Sequence, residues 1–212
     1  MIKGVVFDFD GTLVDTMDLI HRALNDALKK RDLPLVNADL LGRMAGRPVA
    51  EIMRVTTDVL DSAVRDVEQD IFDMYIQFCK TDCELLPNVK DVLKVLKSKG
   101  VKLGLFTTTP RRPLESAINR LGLKNYFDIS LAKEDVKNKP NPDGLERIIE
   151  AFGIKKDECL YVGDSPSDIQ AGNAAGIKTV AIPTGLSTAE HLREENPDLF
   201  ITDLAQLLKY ID

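Results

Sequence analysis

The sequence predicts an α/β fold: a parallel sheet covered by helices on both faces, with a helical bundle inserted after the first strand. Three observations carry this. The chain opens on a β-branched and aromatic run, Val5-Val6-Phe7, that stops abruptly at Asp8, Asp10 and Gly11, as a buried strand entering a turn would. Residues 16–81 then hold helical periodicity with no strong strand pattern between. From Leu86-Pro87 onward helix and strand signals alternate, which implies parallel strands joined by crossover helices.

Taken in order, Thr16 to Arg31 places Leu19, Ile20, Ala23, Leu24, Ala27 and Leu28 at helical spacing, with Thr16 or Asp15 available as a cap and Pro34 as a stop. Further helices are expected at about Ala38 to Met44, Pro48 to Thr57 and Asp61 to Lys80. The last of these carries Val64, Val67, Ile71, Met74, Tyr75 and Phe78 on one stripe. Val89 to Lys99 is amphipathic and ends at Gly100, and Val101 to Thr107 reads as a strand. Helix at Pro113 to Leu121, strand at Phe127 to Leu131, helix at Pro142 to Phe152 and strand at Cys159 to Gly163 follow. Helix at Ser167 to Ala175, strands at Lys178 to Ile182 and Leu199 to Ile201, and a final helix complete the series. The domain division is therefore 1–15 with 82–212 as core and 16–81 as insert. Ligands of such sheets bind beyond the carboxyl ends of the strands, where Asp8, Thr107 and Asp164 would all fall.

Composition narrows the classes. The 212 residues are 44% hydrophobic, enough for a sizeable core, and their net charge of −6 is mixed along the chain. That argues against a nucleic acid or an anionic membrane as the main partner. No apolar run approaches the roughly 20 residues of a membrane span, and Met1-Ile2-Lys3 enters a strand without a signal-peptide pattern, so a soluble cytoplasmic protein is expected. Cys79, Cys83 and Cys159 form no metal-ligand pattern with histidine and are expected to be reduced and structural. Neither a Walker A pattern nor GxGxxG is present.

Asp8 and Asp10 would share a face of a regular strand, and like charges at that spacing call for a proton or a cation. A hard divalent ion such as Mg²⁺, which keeps waters and pairs with phosphate, is the economical partner. An isolated three-residue pattern is equally an acidic turn after a core strand. The longer run Asp8-Phe9-Asp10-Gly11-Thr12-Leu13-Val14-Asp15, however, resembles the DxDGTLxD motif of the haloacid dehalogenase (HAD) superfamily, the aspartate-nucleophile phosphohydrolases. Three further family motifs follow in order: Thr107 after the second strand, Lys139-Pro140-Asn141-Pro142-Asp143, and Gly163-Asp164-Ser165-Pro166-Ser167-Asp168. The resemblance covers essentially the whole chain and is to the subfamily with a helical C1 cap, the phosphoglycolate phosphatase and β-phosphoglucomutase type.

The resemblance implies a Rossmann-like core and an assignment for each motif. Asp8 is the nucleophile and Asp10 the general acid and base. Thr107 binds the phosphoryl group, and Lys139, rather than Lys137, pairs with the nucleophile and the phosphoryl oxygens. Mg²⁺ is held by Asp8, the Asp10 carbonyl and Asp164, with Asp168 in support. The family often has Asn where this chain has Thr108, a departure on the substrate side. The Gly-punctuated basic turn Leu41 to Pro48 resembles the cap loop that contacts substrate, which makes Gly46, Arg47 and, less directly, Arg43 candidates for binding a carboxylate or second phosphate. A solvated arginine beside a helix start explains Arg47 as well.

The expected activity is Mg²⁺-dependent hydrolysis of a small soluble phosphomonoester, of phosphoglycolate or sugar-phosphate type, through an aspartyl phosphate, by a monomer or weak homodimer. A phosphomutase of the same fold is the nearest competitor, but the slot four residues after Thr16 holds Ile20 rather than His, with His21 one residue out of phase. A 2-haloacid dehalogenase needs neither the metal nor Asp10, and a phospho-accepting signalling domain is shorter and lacks the insert. His191, in a polar helix, is expected to be solvent-exposed.

Overall fold

The computed structural model describes residues 1–56 and 61–211. In chain order, β1 (Gly4–Phe7) and the two-residue β2 (Val14–Asp15) lead into four helices, α1 (Met17–Lys29), α2 (Ala38–Arg43), α3 (Val49–Thr56) and α4 (Asp61–Thr81). After β3 (Glu84–Leu85) the chain alternates through α5 (Val89–Ser98), β4 (Lys102–Phe106), α6 (Arg111–Arg120), β5 (Ile129–Leu131), α7 (Asp143–Phe152) and β6 (Cys159–Gly163). It finishes with α8 (Pro166–Ala175), β7 (Lys178–Ala181), α9 (Ala189–Glu194), β8 (Leu199–Phe200) and a turn of 3₁₀ helix at Leu204–Tyr210, where the sequence suggested an ordinary last helix. Thr57, expected to end the third helix, lies outside the described residues.

The expected core is present. Six strands in the order β5-β4-β1-β6-β7-β8 pair in parallel throughout. β1 is fully buried because it lies mid-sheet with helices on both faces. Val5 and Phe7 pack with Val92, Leu93 and Leu96 of α5 and Leu114 of α6, while Val6 packs with Leu145 and Ile148 of α7 and Ala171 of α8. This two-residue alternation is what a central strand requires when it is apolar on both sides. Phe7 is in register with Leu105 on one side and Val162 on the other. The three strands therefore end together, and Asp8, Thr107 and Asp164 emerge at one edge of the sheet, where the connections diverge to left and right of β1.

The helices α1 to α4 enclose a separate apolar cluster, including Leu24, Leu28, Leu41, Ile52, Met53, Val64 and Val67. The seam between this cluster and the sheet's own runs through α4, since Tyr75 and Cys79 from its last turns pack with Val5, Phe7 and Leu13. Where the chain leaves and re-enters the sheet region it forms a two-stranded ribbon, Val14 pairing with Leu85 and Asp15 with Glu84 in antiparallel register. Arg120 of α6 ties this crossing down by donating to the carbonyls of Thr81, at 2.5 Å, and Cys83. Thr16 occupies the cap position of α1 without capping it through its side chain.

His191 contradicts its expected exposure: it is buried, at 4%. The reason is tertiary. α2 lies across α9, so that His191 Nε2 comes 3.1 Å from Asp39 Oδ1, and beside it Ser187 Oγ donates to the Gly42 carbonyl at 2.7 Å. All three cysteines are free and buried. Among the described residues, no helix is long and apolar enough to cross a membrane.

Candidate active site

The residue after β1 stays in the ladder, Asp8 N–H donating to the Val162 carbonyl at 2.9 Å, and the chain then folds back in a tight loop closed by Leu13 N–H on the Phe9 carbonyl, also 2.9 Å. Gly11 turns that loop at φ +74, a backbone region that favours glycine. A Cβ there would stand 2.4 Å from Asp164 Oδ2, and one on Gly185 only 1.6 Å from the same oxygen. Two glycines thus keep one face of the Asp164 carboxylate open, while Thr12 Oγ1 donates to its other oxygen at 2.6 Å.

Lys139 is buried beneath Asp8. Its Nζ lies 2.7 Å from Asp8 Oδ1 and 2.6 Å from Asp168 Oδ1, with the Phe106 and Tyr161 rings 5.3 and 5.7 Å away. Burial alone would push this ammonium towards neutrality; the Asp168 and Asp8 carboxylates outweigh it and hold the lysine above its ordinary range, charged at any working pH. Asp168 has no valence to spare: Oδ1 also accepts from the Tyr161 hydroxyl at 2.6 Å, and Oδ2 accepts from Ser165 N–H at 3.0 Å and Ser165 Oγ at 2.5 Å. It anchors Lys139 and the start of α8.

The carboxylates of Asp8, Asp164 and Asp168 offer oxygens within 4.8 Å of one another. Burial pushes Asp8 up to about 7 despite Lys139, and burial together with the charges of Asp8 and Asp168 raises Asp164 well above the usual carboxylate range. One ammonium therefore does not balance three acids. With the cradle left by Gly11 and Gly185, Asp8 and Asp164 form an all-oxygen donor set suited to a hard divalent cation, and Asp168, already saturated, acts behind them.

Asp10 faces elsewhere. Its Oδ1 accepts from the Tyr75 hydroxyl and its Oδ2 from Thr109 Oγ1. Burial raises this carboxyl, and the hydroxyls of Thr109, Tyr75 and Thr16 oppose the rise. Thr107 is buried behind the wall, its Oγ1 donating to Thr109 Oγ1 at 2.9 Å. Sequence reasoning missed Thr109, Tyr75 and Thr12. Thr109 was readable only as the third member of a threonine run, and Tyr75 sat in a stripe that reads as helix core.

A cavity of about 150 Å³ brings together Asp8, Asp10, Gly46, Arg47, Thr108 and Asp164. A second, of about 190 Å³, continues past Asp10 between Ile71, Phe72 and Tyr75 of α4 and Thr108, Lys133 and Asn138 opposite. Arg47 lines both cavities, but its guanidinium is engaged by Gln170 Oε1 at 2.8 Å and lies 3.6 Å from Glu51. Arg43 lines neither; it spans from Asp39, at 3.2 Å, to Glu194, at 3.1 Å. Ile20 borders both cavities, whereas His21 Nε2 lies 3.4 Å from the Val36 carbonyl.

Comparison with known proteins agrees with this geometry. The model of the family described as haloacid dehalogenase-like hydrolase matches residues 5–182. A protein carrying the name pyrophosphatase PpaX, from Caldanaerobacter subterraneus, is 32% identical over 215 residues, covering 99% of this chain and 94% of its own. A phosphoglycolate phosphatase from Photorhabdus laumondii is 32% identical over 217 residues, covering 99% and 92%. The crystal structure of a haloacid dehalogenase-like hydrolase from Bacteroides fragilis superposes with a TM-score of 0.88 at 27% identity, covering 98% of this chain and all of that one. The chain belongs to the haloacid dehalogenase-like hydrolases and is one of the family's phosphatases.

Proposed function

We propose that this phosphatase hydrolyses a small soluble phosphomonoester through a phosphorylated Asp8, with Mg²⁺ held by Asp8, the Asp10 carbonyl and Asp164. The observation that carries the reading is the buried Lys139 ammonium 2.7 Å from Asp8, whose residue lines one cavity together with Asp164 and Asp10. In the first step an Asp8 oxygen forms a bond to phosphorus as the ester P–O bond breaks, and Asp10 gives its proton to the departing oxygen. In the second, water attacks the same phosphorus, Asp10 takes its proton back, and Asp8 is released with inorganic phosphate. Lys139 orients Asp8 and supplies positive charge beside the equatorial oxygens, with Thr108 as a hydroxyl donor near them; the Thr107 hydroxyl, expected in that role from the resemblance, is given to Thr109 here. The metal, when bound, neutralises charge so that an anionic carboxylate can approach an anionic phosphate.

Residues 16–81 act in this reading as a C1 cap over the core of 1–15 and 82–212, excluding bulk water while it is closed. Ile20 beside Asp10, in the slot where a phosphomutase would carry histidine, favours hydrolysis over transfer to a second hydroxyl. The names of the relatives suggest phosphoglycolate as the first substrate to try, with pyrophosphate and sugar phosphates beside it. The test is a panel of phosphorylated metabolites assayed with and without Mg²⁺. Asp8→Asn is expected to lower turnover by about a thousandfold or more while leaving the fold intact; a variant that still turns over at the wild-type rate excludes Asp8 as nucleophile.

A further inference from the structure

We propose that Tyr75 is a positioning residue for Asp10, holding the acid-base carboxylate towards the leaving group and off the acidic cluster around Asp8. The proposal rests on Asp10 being the acid-base group. Asp10 has two claims on it: it follows β1 by only three residues, beside Asp8, yet its carboxylate has to meet the leaving oxygen on the far side. The structure holds it there with one hydroxyl on each oxygen, Tyr75 on Oδ1 and Thr109 on Oδ2. Two donors from different elements fix both the direction and the rotation of a carboxylate, which one donor would not.

The ring of Tyr75 cannot swing away from this task. It is 8% exposed, belongs to the apolar cluster of the sheet and packs against Phe78 with ring centroids 6.4 Å apart. Phenylalanine would fill that space equally well. A hydroxyl brought into such surroundings loses water and is tolerated only with a partner, and here its partner is Asp10. Tyr75 also sits on the half of α4 that packs with the sheet, six residues before Thr81, whereas Val64 and Val67 earlier in the same helix pack in the cluster of the other helices.

The experiment is a double-mutant cycle of Tyr75→Phe with Asp10→Asn, reading kcat and KM on p-nitrophenyl phosphate and on the best alkyl phosphate. Tyr75→Phe alone is expected to lower kcat about tenfold with KM unchanged. In the Asp10→Asn background the same change should cost less than about twofold, because there is no acid-base group left to position. A merely structural role would lower both backgrounds alike and move KM, and that result overturns the proposal, as does an unchanged kcat for Tyr75→Phe. A wild-type kcat for Asp10→Asn removes the acid-base reading itself, and the proposal with it. If Asp10→Asn is too slow to measure, the cycle runs with Thr109→Val: losses well short of multiplicative support shared positioning, and fully multiplicative losses refute it.

Discussion

One glycine lets residues 38–56 approach the start of α8, and, if these residues close over the site as proposed, replacing it should separate closure from stability. Gly46 has φ +77, and a Cβ on it would lie 2.0 Å from Ser167 Oγ, 2.7 Å from Ser165 Oγ and 3.3 Å from Ser167 Cβ. Restoring an ordinary contact of about 3.4 Å would require a shift of roughly 1.4 Å between the loop and α8. The serines cannot turn aside freely, because Ser165 Oγ donates to Asp168 and lies 2.9 Å from Ser167 Oγ. Gly46→Ala therefore faces about 1 kcal/mol for the left-handed backbone plus about 1–2 kcal/mol if the Ser165 bonds are disturbed. The backbone part is present whether or not the loop is seated; the collision exists only when it is. Only the collision separates the seated form from the unseated one, so kcat/KM should fall by roughly 5- to 25-fold, at about 1.4 kcal/mol per decade. Melting temperature should fall by only about 2–4 °C, the equivalent of the backbone part in a chain of this size. Steady-state kinetics and a thermal melt on the same preparation read both, and adding Ser167→Ala should recover part of the activity by removing the nearest atom. Activity within about threefold of wild type, or no recovery with Ser167→Ala, would falsify the claim that catalysis needs this loop seated.

Three further outcomes are expected. Lys139→Met leaves Asp8 and Asp168 buried without their shared cation, which should cost about 3–5 kcal/mol and lower the metal-free melting temperature by roughly 10 °C; a drop under about 2 °C would show that the acids are compensated some other way. Asp8 is raised from 3.8 to about 7 in the fold, so its neutral form is the one burial favours: this contribution to stability is complete below about pH 4 and is lost as pH rises through about 7. Mg²⁺ selects the ionised form, so the rise in melting temperature that it produces should grow between pH 5.5 and 8 and vanish in Asp164→Asn; a rise independent of pH over that window contradicts the assignment. Where α2 lies against the α9 segment, Ser187→Ala removes a buried hydrogen bond to the Gly42 carbonyl, worth about 1 kcal/mol, and should lower kcat/KM about fivefold, whereas Arg43→Ala, which breaks only exposed ion pairs, should change it less than about twofold. The reverse ranking would show that the Arg43 ion pairs, not the Ser187 bond, hold α2 in place for catalysis.

What the sequence disclosed and what it hid divide along a physical line. Val5 to Phe7, Leu103 to Phe106 and Leu160 to Val162 are buried on both faces, so each is apolar over its whole length and bounded by a turn; burial of that kind writes itself into local composition. The carboxylates just past β1 and β6, Asp8 and Asp164, stand out for the same reason, although only the longer motif separated Asp8 and Asp10 from an acidic turn; Lys139, in the loop before α7, was assigned through the resemblance alone. β2 and β3 left no trace because two residues have no period, and only the crossing of the insert's two connections pairs them. His191 was misread because its neighbours along the chain are polar, while the residues that bury it, Gly42 and Asp39, lie about 150 positions away. Tyr75 is the instructive case. Its helical stripe correctly announced an apolar face, and that face is where the ring lies; nothing in a periodicity distinguishes a tyrosine chosen for its ring from one chosen for its oxygen. The distinction exists only once α4 lies over the β1 loop, because the oxygen's partner, Asp10, is 65 residues earlier in the chain. It follows that the Asp8 side of the site, built from strand ends, is set by local patterns, whereas the Asp10 side is set by how residues 16–81 pack on the sheet. Substitutions deep in α4 should therefore tune proton transfer while leaving the Lys139 and Asp8 pair undisturbed.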